Sequence, residues 1–419
     1  MKNYLDVSGH ISVEGSKSIL NRVLIIASYL TEPIKILNPS NCLDIITMLD
    51  NLEKLGVIID RSEDHWMVKP RKKLKRNAEL FINDSGTAYR FLMARTAAIS
   101  RSKYIITTSE QLKSRPIVPL LEILEQMGST IVSKGNAKIV NGSNLKGEIL
   151  DLPADISSQF ISAILLIAPS YNNDLELFLN GNIVSRTYID MTIKIMQDFG
   201  VIVDFDGSRI FIQSGQEYNN LNEYYIEPDF SSACYFWALG ALSKSAVSTN
   251  TIEQSSLQTD FNFLTILKKI GAKIEVKKDV ISVCRNKIKG ITIDMMDMPD
   301  QVPTLAVIAL FADTKTIIKN IEHLQYKESN RINALVEELS RIGANVSYNK
   351  GALVITPLNK IPGSITLNSH HDHRLVMAFH ILKLIFPQIS ITGSPSVEKS
   401  YPDFLKDIKS IKTLKSYYS

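Results

Sequence analysis

Cysteine is scarce, with only Cys42, Cys234 and Cys284 in 419 residues, and the three lie far apart. That spacing makes neither a metal pattern nor a disulfide framework, so a reducing compartment and a core role for the thiols are expected. No apolar run approaches the roughly 20 residues needed to span a bilayer. The opening MKNYLDVSGHISVEGSKS has early acidic residues and no apolar stretch, unlike a signal or transit peptide. The expectation is a cytoplasmic protein without a membrane partner. Charge of one sign is also lacking: the net charge is only +4, which argues against a nucleic-acid backbone binder. The exception, KPRKKLKR at 69–76, reads as a solvated loop or strand edge. No low-complexity tract or Pro/Gly/Ser-rich linker interrupts the chain, so any domain boundary must be a compact crossing. With 45% hydrophobic and 21% charged residues, the composition is globular, and the length exceeds one ordinary core.

What is present is a repeated phrase: MLDNLEKLGVII, LLEILEQMGSTI, TIKIMQDFGVIV, FLTILKKIGAKI and LVEELSRIGANV. Its glycines are Gly56, Gly128, Gly200, Gly271 and Gly343, with successive differences of 72, 72, 71 and 72 residues. A fixed period marks a repeated supersecondary unit. Each phrase reads as the end of an amphipathic helix, a glycine stop and then a strand. The period suits a unit of several strands and two helices, about six of them, the last shortened and ending near YPDFLKDIKSI.

A second series of helices recurs at about 70-residue intervals. ISVEG (11–15) reads as a strand leading to a helix from Ser18 through Tyr29. SGTAYRFLMARTAAIS (85–100), SSQFISAILLIAPS (157–170) and SSACYFWALGALSK (231–244) read as helices opened by small hydroxyl caps. A Thr-started helix follows Pro303, and RLVMAFHILKLIF follows Asp372 as its cap. These helices are apolar on all sides and should be buried, whereas the glycine-ended helices belong outside.

Basic residues meet helix starts or turns in most of these units. GSKSILNR places Lys17 and Arg22 by a first turn whose free N–H groups suit an anion. Arg90 and Arg115 follow in DSGTAYR and LKSRP; then come Ser157, Ser158 and Gln159 in DISSQF and Ser185, Arg186 and Tyr188 in IVSRTYID. Lys327, Glu328 and Arg331 in YKESNR, Arg374 in HHDHR and Lys399 in VEKSYP complete the series. Two unit charges 4 Å apart interact by about 4 kcal/mol at an effective dielectric of 20. So many cations imply a small, multiply anionic ligand. The run His370–His371–Asp372–His373 invites a metal reading, but neighbours in an extended segment point to opposite sides and no further ligand motif accompanies them. No metal and no cofactor are expected. Asp300 and Glu328 are the proton-transfer candidates, and no Ser-His-Asp or Cys-His pattern is visible.

In order along the chain, GSKSILNR, DSGTAYR, SRP, DISSQF, SRTYIDMT, EPDFSSA, MPDQVPTLAV, KESNR, DHRLVMAF and KSYPDF resemble the signature string of the 5-enolpyruvylshikimate-3-phosphate synthase family, from about residue 10 to 405. The resemblance implies transfer of the enolpyruvyl group of phosphoenolpyruvate to the 5-hydroxyl of shikimate 3-phosphate, with release of phosphate through a tetrahedral intermediate. It implies an α/β fold: a two-domain inside-out α/β barrel of six βαβαββ repeats, three per domain, around buried helices. Domain I would comprise 1–14 and 229–419 and domain II 15–228, with the active site in the cleft and domain closure on the ligands.

Carried over by motif, Lys17, Ser18, Arg22, Ser157, Ser158, Gln159, Ser185, Tyr188, Asp300, His323 and Lys327 would hold shikimate 3-phosphate. Lys17, Asp84, Gly86, Arg115, Gln159, Arg331, Arg374 and Lys399 would hold phosphoenolpyruvate. Asp300 would take the proton of the 5-hydroxyl, and Glu328 with Lys17 would manage the proton at the enol methylene. A monomer acting on these two small molecules is expected, and retention of Gly86 implies sensitivity to glyphosate. Four positions depart from the family pattern: Glu14 for proline, Asp84 and His323 each for asparagine, and Asn330 for aspartate. A carboxylate at Asp84 would repel phosphoenolpyruvate unless cations offset it. The related UDP-N-acetylglucosamine enolpyruvyl transferases typically carry a loop cysteine, and residues 85–130 contain none. A non-catalytic anion-binding relative would have lost Asp300, Glu328 or Lys17.

Overall fold

The computed structural model describes residues 4–417 apart from 72, 253–254 and 359–362, with side chains to residue 413. Lys72 of the basic run therefore lies outside the described residues. The chain divides into two compact units, Gly15–Ile226 and Met1–Glu14 with Glu227–Ser419. Both are mixed α/β.

The helices that are apolar all round are the buried ones. In the Gly15–Ile226 unit, Lys17–Ala27, Gly86–Ala97 and Ser158–Leu166 pack on one another. In the other unit, Phe230–Leu242, Val302–Ala309 and His373–Ile385 do the same. Every residue of Phe230–Leu242 and of Val302–Ala309 is buried, as a helix without a polar face requires. The glycine-ended helices keep an exposed face, and their ends share one geometry. The glycines have φ of 104°, 109°, 83°, 107° and 85°. In each case the next N–H reaches back to a carbonyl five residues earlier: Val57 to Leu52 (3.1 Å), Ser129 to Leu124 (3.0 Å), Val201 to Met196 (3.0 Å), Ala272 to Leu267 (2.9 Å) and Ala344 to Leu339 (3.1 Å). This Schellman closure needs a left-handed residue, which glycine supplies without a Cβ penalty.

The sheets repeat as the helices do. In the Gly15–Ile226 unit three four-stranded sheets share one plan, a parallel pair followed by two antiparallel steps. One sheet is Asn77–Ile82, Ser102–Thr108, Ala137–Gly142 and Thr130–Lys134. Another is Ile149–Pro153, Leu175–Asn180, Arg209–Ile212 and Asp204–Phe205. The third joins Glu223–Tyr225 to Ile34–Leu37, His65–Lys69 and Ile58–Arg61. In the first two, a buried helix supplies the crossover that parallel strands need. The other unit repeats the plan in Thr292–Asp294, Thr316–Lys319, Ala352–Ile355 and Val346–Asn349. It repeats it again around Tyr4–Ile11 and Val247–Asn250, with Lys412–Tyr417 added at the edge. The last sheet is shortened to the parallel pair Ile365–Asn368 and Ile389–Thr392. Among the described residues no sheet closes on itself, and no helix is long and apolar enough to cross a membrane.

Three local expectations are corrected. The first strand is Tyr4–Ile11, not 11–15. Past Ile11 the Asn250 amide occupies the backbone of Val13, accepting from its N–H (2.8 Å) and donating to its carbonyl (3.1 Å). The helix expected from Ser231 starts at Phe230, because Asp229, not a serine, caps it by accepting from Ser232 N–H (2.9 Å). The helix expected to start at Thr304 begins at Val302, with Pro303 in its first turn, where a missing N–H costs nothing.

Candidate active site

In the Gly15–Ile226 unit the candidate residues gather at the N-termini of the three buried helices. Arg22, one turn into the first helix, is 2% exposed. Its Nε donates to Thr192 Oγ1 (2.7 Å), Nη1 to the Ser18 carbonyl (2.7 Å), and Nη2 to the Tyr188 carbonyl (3.1 Å) and Ser162 Oγ (3.3 Å). Among the described residues none of these partners is a carboxylate. Burial pushes the Arg22 pKa down to about 10, with Tyr188 opposing. A buried cation held only by neutral groups awaits a countercharge. The Lys17 ammonium meets Asp44 Oδ2 at 2.6 Å.

Gly86 heads the second helix, and Ser85 caps it by accepting from Ala88 N–H (3.4 Å). A Cβ at Gly86 would lie 2.5 Å from Arg115 Nη1 and 2.7 Å from Arg90 Nη1. Two guanidiniums thus close over bare backbone. Asp84, beside them, accepts a hydrogen bond from Ser109 Oγ. On the third helix Ser157 is the cap, accepting from Gln159 N–H (3.3 Å), and Ser158 is buried. Gln159 donates from Nε2 to Thr87 Oγ1 (3.2 Å), while its Oε1 is buried without a partner. Ser185 adopts φ 54° before the helix Arg186–Asp198, and its buried Oγ also has none.

The second cluster lies in the Glu227–Ser419 unit. Asp300, in the turn Pro299–Gln301, accepts from Arg331 Nη1 (2.7 Å) and Arg374 Nη2 (2.8 Å). Arg331, 1% exposed, also donates to Glu328 Oε2 (2.9 Å) and from Nε to Asp372 Oδ2 (2.8 Å). Three carboxylates therefore surround one guanidinium. Burial favours the neutral Asp300 carboxyl, but Arg374, Arg331 and Lys327 outweigh it and hold the pKa well below the usual range. Burial disfavours charge on Arg331 too, and Asp372, Asp300 and Glu328 reverse that, raising its pKa. Arg374 keeps Nε and Nη1 buried beside the Tyr235 hydroxyl without a well-formed hydrogen bond. His323 is 4% exposed with its Nε2 unpartnered. Burial, then Lys327 and Arg331, push its pKa down to about 3, so the ring is neutral at working pH. Lys399 lies buried in the turn Ser394–Lys399.

The expected residues thus form two groups, one in each unit. The run His370–His373 does not converge: Asp372 turns to Arg331 and caps the helix through Arg374 N–H (2.9 Å), while His370 Nε2 lies 3.5 Å from Glu338 Oε1. Glu337, Glu338 and His370 come close enough to face one cation, yet Arg341 already lies 3.3 Å from Glu338. Residues missed from sequence include Asp44, Ser162, Thr192 and the pairing role of Asp372. Asp44 sits in a first helical turn, where an acid reads as ordinary dipole compensation.

The family model described as EPSP synthase (3-phosphoshikimate 1-carboxyvinyltransferase) matches residues 2–408. A 3-phosphoshikimate 1-carboxyvinyltransferase from Methanococcus maripaludis is 35% identical over 415 residues, covering 97% of this chain and 96% of that protein. One from Buchnera aphidicola is 34% identical, covering 97% and 95%. The solved EPSP synthase of Acinetobacter baumannii superposes with a TM-score of 0.81 at 23% identity, over 99% of each chain. An enolpyruvyl transferase from Streptomyces tendae gives 0.76 at 13% identity, also over 99% of each.

Proposed function

The chain belongs to the EPSP synthase (3-phosphoshikimate 1-carboxyvinyltransferase) family, and from that premise we propose how its residues divide the reaction. The enzyme transfers the enolpyruvyl group of phosphoenolpyruvate to the 5-hydroxyl of shikimate 3-phosphate and releases phosphate, a step of the shikimate pathway toward the aromatic amino acids. The observation that carries the assignment of roles is the pairing of two anion sites with two carboxylates, Asp300 and Glu328.

On this reading Ser18, Arg22, Ser157, Ser158, Ser185 and Tyr188 hold shikimate 3-phosphate, with the serines toward its phosphate. His323 and Lys327 contribute as well. Lys17, Gly86, Arg115, Arg331, Arg374 and Lys399 hold the phosphate and carboxylate of phosphoenolpyruvate, with Asp84 alongside and Gln159 between the substrates. Each unit is read as a domain of three βαβαββ repeats arranged as an inside-out barrel. The protein is read as a cytoplasmic monomer.

Asp300 takes the proton of the 5-hydroxyl, whose oxygen attacks C2 of phosphoenolpyruvate while Lys17 and Glu328 deliver a proton to the methylene. Loss of a methyl proton then expels phosphate. Asp300 is tied to Arg331 and Arg374, which makes it a weak base. The donor's anionic groups compete for those guanidiniums and so release the carboxylate for proton transfer. Phosphate release from phosphoenolpyruvate tests the assignment, assayed with shikimate 3-phosphate and, separately, with UDP-N-acetylglucosamine. Activity with the first alone is expected; activity with the second alone would refute it. Inhibition by millimolar glyphosate is expected in the same assay.

A further inference from the structure

Beneath Asp300 lies a carboxylate that no step above uses. Asp260, in the turn Thr259–Asn262, is 2% exposed. Its Oδ2 accepts from Gln301 Nε2 (3.0 Å) and from the Ser231 hydroxyl. Gln301 is completely buried. Its Nε2 also reaches the Ser231 carbonyl (3.2 Å), and its Oε1 accepts from Thr304 Oγ1 (3.2 Å). Gln301 closes the turn Pro299–Gln301 that carries Asp300 and leads into Val302–Ala309. The Asp260 carboxylate therefore ties three elements together at the residue next to Asp300: the start of Phe230–Leu242, its own turn, and the start of Val302–Ala309.

The contact is costly to maintain. Asp260 Oδ1 is buried with no hydrogen-bond partner. Among the described residues neither hydrogen-bonding partner of Oδ2 is a cation. Burial first, then the Asp300 charge, push the Asp260 carboxyl up to about 6, against Ser231, Arg374 and Gln301. A partly satisfied buried carboxylate is poor cement for a core, whereas a rigid tether beside a reacting group serves catalysis.

We propose that Asp260 is a positioning residue for Asp300, acting through the Gln301 amide. The proposal rests on Asp300 being the proton acceptor. Asp260→Ala frees Gln301, and the proposal expects about a tenfold drop in kcat with KM for both substrates within about threefold. Asp260→Asn can make the same two hydrogen bonds, and it restores kcat to within about threefold. Gln301→Ala reproduces the Asp260→Ala loss. The double variant is no worse than the poorer single one, because both act through one tether. Additive losses in kcat, or raised KM at unchanged kcat, would overturn the proposal. Should Asp260→Ala fail to fold, normal kcat in Gln301→Ala overturns it alone. Asp300→Asn separates the two ideas. If that variant keeps its turnover, the base assignment fails. If it is inactive while Asp260→Ala and Gln301→Ala are normal, only the positioning role fails.

Discussion

Arg22 and Arg331 are both buried helical arginines, one in each unit, and their surroundings are opposite. Arg22 has hydroxyls and carbonyls for partners. Arg331 is enclosed by Asp300, Glu328 and Asp372. The first site carries an uncompensated cation and is ready for an anion. The second has neutralised itself, and an anion must displace a carboxylate to enter. That displacement links binding to chemistry, because the displaced group, Asp300, is the proposed base.

The largest effects should come from removing proton-transfer groups. Lys17→Met or Glu328→Gln is expected to lower kcat by at least about 100-fold while circular dichroism shows that the fold survives. Near-normal rates in both would mean these roles are misassigned.

The next pair of variants addresses the contrast itself. Arg331→Met leaves three carboxylates without their shared cation and should cost about 3–5 kcal/mol in denaturant unfolding. Arg22→Met removes a cation that had no countercharge, so its stability loss should be the smaller of the two, yet shikimate 3-phosphate binding by calorimetry should be lost. Equal stability losses would erase the distinction between the sites.

Gly86→Ala affects only the geometry of the Arg115 and Arg90 pair. The new methyl cannot occupy a position 2.5 Å from a guanidinium nitrogen, so Arg115 must shift. Steady-state kinetics should show a raised KM for phosphoenolpyruvate and weaker glyphosate inhibition, with the KM for shikimate 3-phosphate little changed. An unaltered donor KM would show that Arg115 does not touch the donor.

The smallest effect concerns stability and pH. Asp260 has its folded pKa raised from 3.8 to about 6. The folded state therefore binds that proton more tightly than the unfolded chain does. Its ionisation costs stability fully above about pH 6, and the cost fades as pH falls toward 4. Asp260→Asn should thus raise Tm at pH 7.5 and lose that advantage by pH 4.5. A variant less stable at pH 7.5 would contradict the assigned shift.

How much of this could be read from the sequence depends on the range of the interaction. The five glycine stops are local: each is decided by a few residues of helix and one left-handed turn, and all five take the same closure. The buried helices are also legible, because burial follows from composition around the whole circumference. The candidate cations were legible as motifs, but their partners were not. Arg331 to Asp372 spans 41 residues, Lys17 to Asp44 spans 27, and Arg22 to Thr192 spans 170. No periodicity connects such pairs. Local misreadings arose where a side chain replaced an expected backbone rule. Asn250 ended the first strand early, and Asp229 took the cap that Ser231 was expected to fill.

Release of Asp300 by the donor can be measured directly as proton uptake. Phosphoenolpyruvate is titrated by calorimetry at about pH 5.5 in buffers of different ionisation enthalpy, without shikimate 3-phosphate, into wild type and Asp300→Asn. Losing its two guanidinium partners raises the Asp300 pKa, so wild type should take up more protons than the variant on binding. Equal uptake by the two proteins would show that Asp300 keeps its partners when the donor binds, and the link between donor binding and proton transfer would fail.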